Sequence, residues 1–202
     1  MQSLKKLAQN LEKESQAAKP STMFDRHPSS KPFLEKFPVI IESVSPLGLD
    51  LEIVVKESQD EQNRKTNVKA HMTHWFMHKE NKAYEFIADR AIEIAKKNGP
   101  HPIELVTYDC WGAIYRKGDY TIMHNHWPHL WSFVYYVKSE KKSSPLIFDN
   151  APQGSHYIWP KTNDMVIFPA WLNHSVPKHN SSQERIVISG NIDRPDMRRI
   201  RK

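Results

Sequence analysis

Apolar and polar residues alternate along this chain in two different rhythms. Leu4, Leu7, Ala8 and Leu11 recur at helical spacing between lysines and glutamates, so residues 3–18 read as a short amphipathic helix ending near Lys19 and Pro20. The Ser- and Pro-rich stretch STMFDRHPSSKPFLEKFP reads as an extended arm with Phe24, Phe33 and Phe37 as anchors. Residues 38–55, PVIIESVSPLGLDLEIVV, carry two β-branched segments broken at Pro46 and Gly48, which predicts a strand, a turn and a second strand. The polar run ESQDEQNRKTN reads as an exposed loop. Met72 to Lys97 then reads as the one long helical region, with Tyr84, Ile87, Ala91, Ile94 and Ala95 as its core-facing stripe and Gly99 and Pro100 as its stop.

From residue 102 the rhythm becomes that of strands separated by turns. IELVTYDCWGAIY leads to a turn at Arg116 to Asp119 and then TIMHNH; WSFVYYVK, PLIFDN, DMVIFP and ERIVISGNI follow. Short strands at this spacing predict a sandwich or barrel. The chain therefore divides into an N-terminal helix and arm over 1–37, a mainly β domain with flanking helices over 38–195 that includes an inserted helix near 72–98, and a basic tail over 196–202.

Composition narrows the class. At 202 residues the chain can bury one sizeable core, and 39% aliphatic and aromatic residues is ordinary for a globular protein. Fourteen prolines against six glycines favour a loop-rich β protein over a helical bundle. The single cysteine, Cys110, allows no intramolecular disulfide and reads as a buried small residue, so a reducing compartment is expected. Short apolar runs and a polar N-terminus give no membrane anchor or signal segment, and a cytoplasmic protein is expected. The net charge of +6 is concentrated at RPDMRRIRK, which reads as a solvated end, so nucleic acid is disfavoured as a partner. The N-terminal helix and arm would either serve a homodimer interface or pack on the barrel.

The chemistry concentrates in HNHWPHLWSFVYYV. His124 and His126, one residue apart on an extended backbone, point to one side, which is metal-ligand geometry. His174, in the turn FPAWLNHSVP after a strand, is the third candidate; imidazole alone does not choose among iron, zinc, copper and nickel. Arg185 opens the apolar strand IVIS, and its guanidinium there needs an anionic partner, either a protein carboxylate or a bound dicarboxylate. Ser189 would share its face. The helical reading places His71, His74 and His78 on one face, a weaker second metal site, while His129 and the loop around His156, Tyr157 and Trp159 could border the first.

In this order, HNHWPHLWSFVYYV, PLIFDN, DMVIFPAWLNHSVP and ERIVISGN resemble the iron(II)- and 2-oxoglutarate-dependent oxygenases, in particular a small bacterial and phage group with an HxH…H motif. The resemblance covers about residues 105–192. It implies a double-stranded β-helix, the cupin-like jelly roll, with Fe(II) on His124, His126 and His174. It also implies 2-oxoglutarate as cosubstrate on Arg185, helped by Ser189, Ser132 and Tyr136, the last preferred over Tyr135 by strand parity, with Asn191 matching the asparagine that ends the arginine strand. With O2, such a site hydroxylates a C–H bond, here in an unidentified substrate such as a peptide or protein side chain, expected to meet an aromatic mouth of Trp127, Trp131, Tyr157, Trp159 and Trp171.

Two positions depart from the commoner pattern. His126 stands where the superfamily usually has a carboxylate, with Asp119 and Asp149 as nearby alternatives, and Phe133 stands where relatives often carry glycine. The rival reading keeps the fold and drops the cosubstrate: a cupin-like metal protein, for which a buried Arg185 would have no use.

Overall fold

The computed structural model describes residues 39–60, 66–99, 103–151 and 154–195; the helix expected over 3–18, the arm after it and the basic tail lie outside these residues. Two antiparallel sheets make the body. Strands β1 (Ile40–Ser43), β3 (His71–Met72), β4 (Val106–Tyr115), β6 (Trp131–Lys138), β9 (Asp164–Pro169) and β11 (Arg185–Asp193) form a six-stranded sheet in the order β1-β9-β6-β11-β4-β3. Strands β2 (Val68–Lys69), β5 (Tyr120–His124), β7 (Leu146–Ala151), β8 (Gly154–Ile158) and β10 (His174–Val176) form a five-stranded sheet in the order β2-β5-β10-β7-β8. This is the expected mainly β architecture with flanking helices, a double-stranded β-helix.

Every residue of β11 is buried, because the strand lies between β4 and β6 with both of its faces covered. Strand side chains alternate. Ile186, Ile188 and Ile192 therefore join Cys110, Ile114, Phe133, Tyr135 and Ile167 on one face of the sheet, where they meet Tyr84, Ile87, Ala91 and Ile94 of a helix. That helix, α2 (Lys82–Asn98), buries the stripe expected of it; its N-cap Asn81 accepts from the Ala83 N–H at 2.9 Å and Gly99 caps its end. Cys110 lies in the same layer and burial pushes its thiol well up, so it is a packing residue. No helix among the described residues is long and apolar enough to cross a membrane.

Two expectations fail. The second strand expected in 38–55 is helix α1 (Leu51–Glu57). Its β-branched residues favour a strand, but Asp50 caps the Ile53 N–H at 3.2 Å, Leu51 and Val55 are buried one turn apart, and Glu52 and Lys56 pair at 2.7 Å. Those local terms, together with packing on the core, outweigh propensity. The long helix from Met72 is also shorter. Residues 71–72 are strand, Met77–Lys79 a 3-10 turn, and α2 starts at Lys82. His71, His74 and His78 consequently share no helix face: His71 meets the Arg116 guanidinium at 3.0 Å and His74 pairs with Glu80 at 3.0 Å.

Gly190 is where β11 is most crowded. A Cβ there would lie 2.4 Å from the Asp109 carbonyl oxygen and 2.7 Å from the Phe133 ring, which is directly opposite in register. Phe133 thus packs into the core cluster on the helix side of the sheet. Gly190→Ala is expected to cost about 1–3 kcal/mol of unfolding free energy, the usual range for overpacking, read as a lower urea midpoint at unchanged m-value.

Candidate active site

His124 ends β5, His126 follows in the connection, and His174 opens β10 directly opposite His124. The structure thus makes His174 part of a short strand where a turn was expected. Beyond the strand end the His126 N–H donates to the Ala170 carbonyl at 2.7 Å, which fixes this segment against the turn before β10. The three rings lie 4.7, 4.4 and 5.1 Å apart between centroids, and one ligand atom from each falls within 4.8 Å of the others. Nitrogens bound to one ion at about 2.1 Å sit roughly 3–4 Å apart, so small ring rotations would complete the set. Among the described residues this is the cluster that can hold a metal, and no carboxylate belongs to it. Asp119 instead accepts from the Arg116 N–H at 2.7 Å, and Asp149 from the Ser175 hydroxyl at 2.6 Å.

Two of the imidazoles are keyed by backbone carbonyls. His124 Nδ1 donates to the Ile122 carbonyl at 2.7 Å and His174 Nδ1 to the Leu172 carbonyl at 3.0 Å. A carbonyl can only accept, so Nδ1 carries the proton and Nε2 presents its lone pair. Burial also drives all three rings toward the neutral, ligating form. Desolvation, followed by the neighbouring His174 and His124, lowers His126 to about 2; desolvation lowers His174 to about 3 and depresses His124 as well.

The facing wall comes from the odd-numbered side of β11 and its partners. Asn191 stands between Asp109 and Ser132, Ser189 between Trp111 and Val134, Val187 between Ala113 and Tyr136, and Arg185 beside Tyr115. Arg185, Ser189, Ser132, Trp111 and the three histidines line one narrow cleft. Arg185 is 1% exposed, and among the described residues no carboxylate pairs with it. Its guanidinium stacks on the rings of Tyr115 and Tyr136 at 4.7 and 5.0 Å and donates to the Tyr136 hydroxyl at 3.2 Å, while Nε and Nη1 are buried with no hydrogen-bond partner among the described residues. Burial raises the Tyr136 phenol, which therefore stays protonated.

Asn191 lies at the other end of β11, among Ser132, Asp109 and His126, and not beside Arg185. His129, toward the mouth, is bound to buried Asp193 at 2.6 Å. Of the five aromatic residues expected at the mouth, Trp127 lines it and is 71% exposed. Trp131 belongs to the core, and Trp159 borders a separate depression beside Ser139 and Lys161. The loop expected around His156, Tyr157 and Trp159 is largely strand β8. In place of the missing rings, Trp75, Phe76 and Trp111 wall a groove of about 490 Å³ that reaches His124 and His126. A larger cavity of about 560 Å³, lined by Lys79, Glu80, Lys82, Glu85 and Asp89 at the start of α2, has none of these histidines. Tyr115, Asp109 and Trp75 were absent from the sequence reading; parity along β4 gathers the first two with Trp111, but their partners depend on a register some 70 residues away.

A family model described as "Putative 2OG-Fe(II) oxygenase" matches residues 148–191, the span that holds His174 and Arg185. Over that span the chain is similar to the 2OG-Fe(II) oxygenases. No curated protein matches the chain in sequence. In structure it is similar to a Pseudomonas putida prolyl-4-hydroxylase (TM-score 0.61, 15% identity, 80% of this chain and 95% of that one). It is also similar to a Trichoplax adhaerens prolyl hydroxylase in complex with a hypoxia inducible factor oxygen degradation domain peptide fragment (TM-score 0.63, 16% identity, 84% and 89%). A third is HygX from Streptomyces hygroscopicus with nickel and 2-oxoglutarate bound (TM-score 0.60, 7% identity, 80% and 85%). At these identities the likeness is one of fold.

The depressed histidines set a pH dependence. Unfolded, His126 and His174 take up protons near the ordinary imidazole value of 6.5; folded, they resist protonation down to about 2 and about 3. Their contribution to stability is therefore complete above about pH 6.5 and is lost as pH falls through that window. In urea titrations of the metal-free protein the midpoint should fall between about pH 7 and pH 4, and His126→Gln/His174→Gln should flatten that slope.

Proposed function

We propose that the protein hydroxylates a peptide or protein side chain, with Fe(II) held by His124, His126 and His174 and 2-oxoglutarate held by Arg185. Arg185 carries this reading. A guanidinium withdrawn from water without a carboxylate is costly, and one that shares a cleft with three convergent imidazoles is a socket for the far carboxylate of a dicarboxylate whose other end reaches the metal. The donor set suits the metal too, since neutral imidazole ligates Fe(II).

Fe(II) with 2-oxoglutarate and O2 supplies the oxidation, one oxygen atom leaving in succinate as CO2 is lost and the other entering a C–H bond of the substrate. The chain's own residues bind and orient. Tyr115 and Tyr136 hold the guanidinium plane between ring and hydroxyl, so that its two unpaired nitrogens are presented before the cosubstrate arrives. Ser189 lines the same cleft with a hydroxyl to offer, whereas the Ser132 hydroxyl already donates to Asn191 Oδ1 at 2.7 Å. Trp75, Phe76 and Trp127 line an open groove beside the histidines, which suits an extended segment carrying apolar or ring side chains better than an enclosed small molecule. A single cysteine, buried in the core, fits a reducing compartment such as the cytoplasm.

Anaerobic titration with Fe(II), followed by 2-oxoglutarate, should produce a metal-to-ligand charge-transfer band in the visible; iron-loaded wild type without that band would sink the reading in favour of a metal protein that takes no 2-oxoglutarate. Arg185→Ala should weaken 2-oxoglutarate at least about thirty-fold, equivalent to about 2 kcal/mol, and leave Fe(II) affinity nearly intact. His174→Ala should abolish both.

A further inference from the structure

The groove beside the histidines is aromatic along its walls and acidic at one point. Trp75, Phe76, Trp111 and Trp127 supply the rings, and Asp109 is the acidic residue among the described residues that line it. No described lysine or arginine lines it, in a chain that carries 29 of them. Asp109 is half-buried, so its carboxylate has lost part of its hydration beside those rings, and a bound cation would offset that loss.

The direction of the carboxylate is fixed. Oδ1 accepts from the Asn191 backbone N–H at 3.0 Å and from Asn191 Nδ2 at 2.9 Å, two of the roughly four acceptor positions that a carboxylate offers. Pairing of β4 with β11 passes from Asp109–Asn191 to Thr107–Ile192, which makes Tyr108 the extra residue of a bulge in β4. Bulges re-aim side chains beside sites. Asp109 and Trp111, two positions apart, come out together on the groove.

Reach and charge then select the occupant. Asn191 Nδ2, which touches Asp109, is 3.5 Å from the His126 ring, so one amide separates the carboxylate from the histidines. The methylene stem of a lysine or arginine is long enough to span that amide. With its charge on Asp109, such a side chain lays its C–H bonds toward the histidines and keeps its cation away from the dication they would hold. The aromatic wall accepts cations, since Lys79 Nζ lies over the Phe76 ring at 4.6 Å, and tryptophan is the stronger cation–π partner.

We infer that the groove takes a lysine or arginine side chain of a peptide segment, with Asp109 as the specificity-determining residue that pairs its charge and Trp75 and Trp127 packing its stem. The inference rests on the peptide-hydroxylation reading and narrows its substrate class to cationic side chains.

The test uses rhodamine-labelled peptide libraries with uncharged flanks in random order and a fixed central residue. Binding is read by fluorescence anisotropy on the full chain, metal-free and again loaded anaerobically with Fe(II) and 2-oxoglutarate. Lysine- or arginine-centred peptides should bind about tenfold or more tighter than leucine-, proline- or glutamate-centred ones. Acetylating the central lysine removes its charge and should abolish that advantage. Asp109→Asn keeps an oxygen for Asn191 and removes the charge; it should bring lysine- and leucine-centred peptides to within about twofold of each other. Leucine- or proline-centred peptides that bind as tightly as lysine-centred ones, an advantage that survives acetylation or Asp109→Asn, or no binding by any library would overturn the inference. The acetylation arm uses wild type alone, so it decides the matter even where Asp109→Asn misfolds. A lysine preference in a wild type that shows no charge-transfer band would uphold the groove assignment and count against the 2-oxoglutarate reading alone.

Discussion

The alternation of side chains along β11 is the constraint on which the molecule turns. Its nine residues are buried between β4 and β6, so neither face is free to be anything but core or site. Ile186, Ile188 and Ile192 bind the sheet to α2, and Arg185, Val187, Ser189 and Asn191 line the opposite wall. A slip of one residue would drive the guanidinium into the apolar layer and turn isoleucines into the cleft. Gly190 helps hold the register, because the space a side chain would need is taken by the Asp109 carbonyl and the Phe133 ring. One strand thus serves both the core and the wall that faces the histidines.

The electrostatics of the cleft follow from what that strand buries. A charge enclosed with only aromatic faces and one phenol for company works against folding; the packing of the sheet offsets it. The same dry surroundings hold the three histidines neutral, each with one ring lone pair free of a proton. Desolvation therefore has opposite consequences on the two walls. It discourages charge on the imidazoles, and around an arginine that cannot deprotonate it creates demand for an anion.

Much of this was legible before the structure. His124, His126 and His174 converge, Arg185 is buried with Ser189 on its face, and of the Tyr135–Tyr136 pair it is Tyr136 that touches it. Each of those rests on residue type plus parity along one strand, a local property. The failures have physical causes of their own. LEIVV has strand-forming residues, yet a cap and an i,i+4 pair made it a helix once a core was there to receive Leu51 and Val55. Trp131 was placed at the mouth by proximity to the histidines, but it starts a strand whose partner β9 draws it into the core.

By itself the sequence determined which residues could do chemistry and which face of each strand they occupy, because alternation and residue type are written locally. The tertiary structure alone decided what stands across from them. The pairing of Arg185 with Tyr115, the row that joins Asp109 to Asn191 and Ser132, and the meeting of His174 with His124 join positions about 50 to 80 apart in the chain, which only the closing of the sheets brings together. Register is set by the summed packing of both faces, a quantity that no single segment contains.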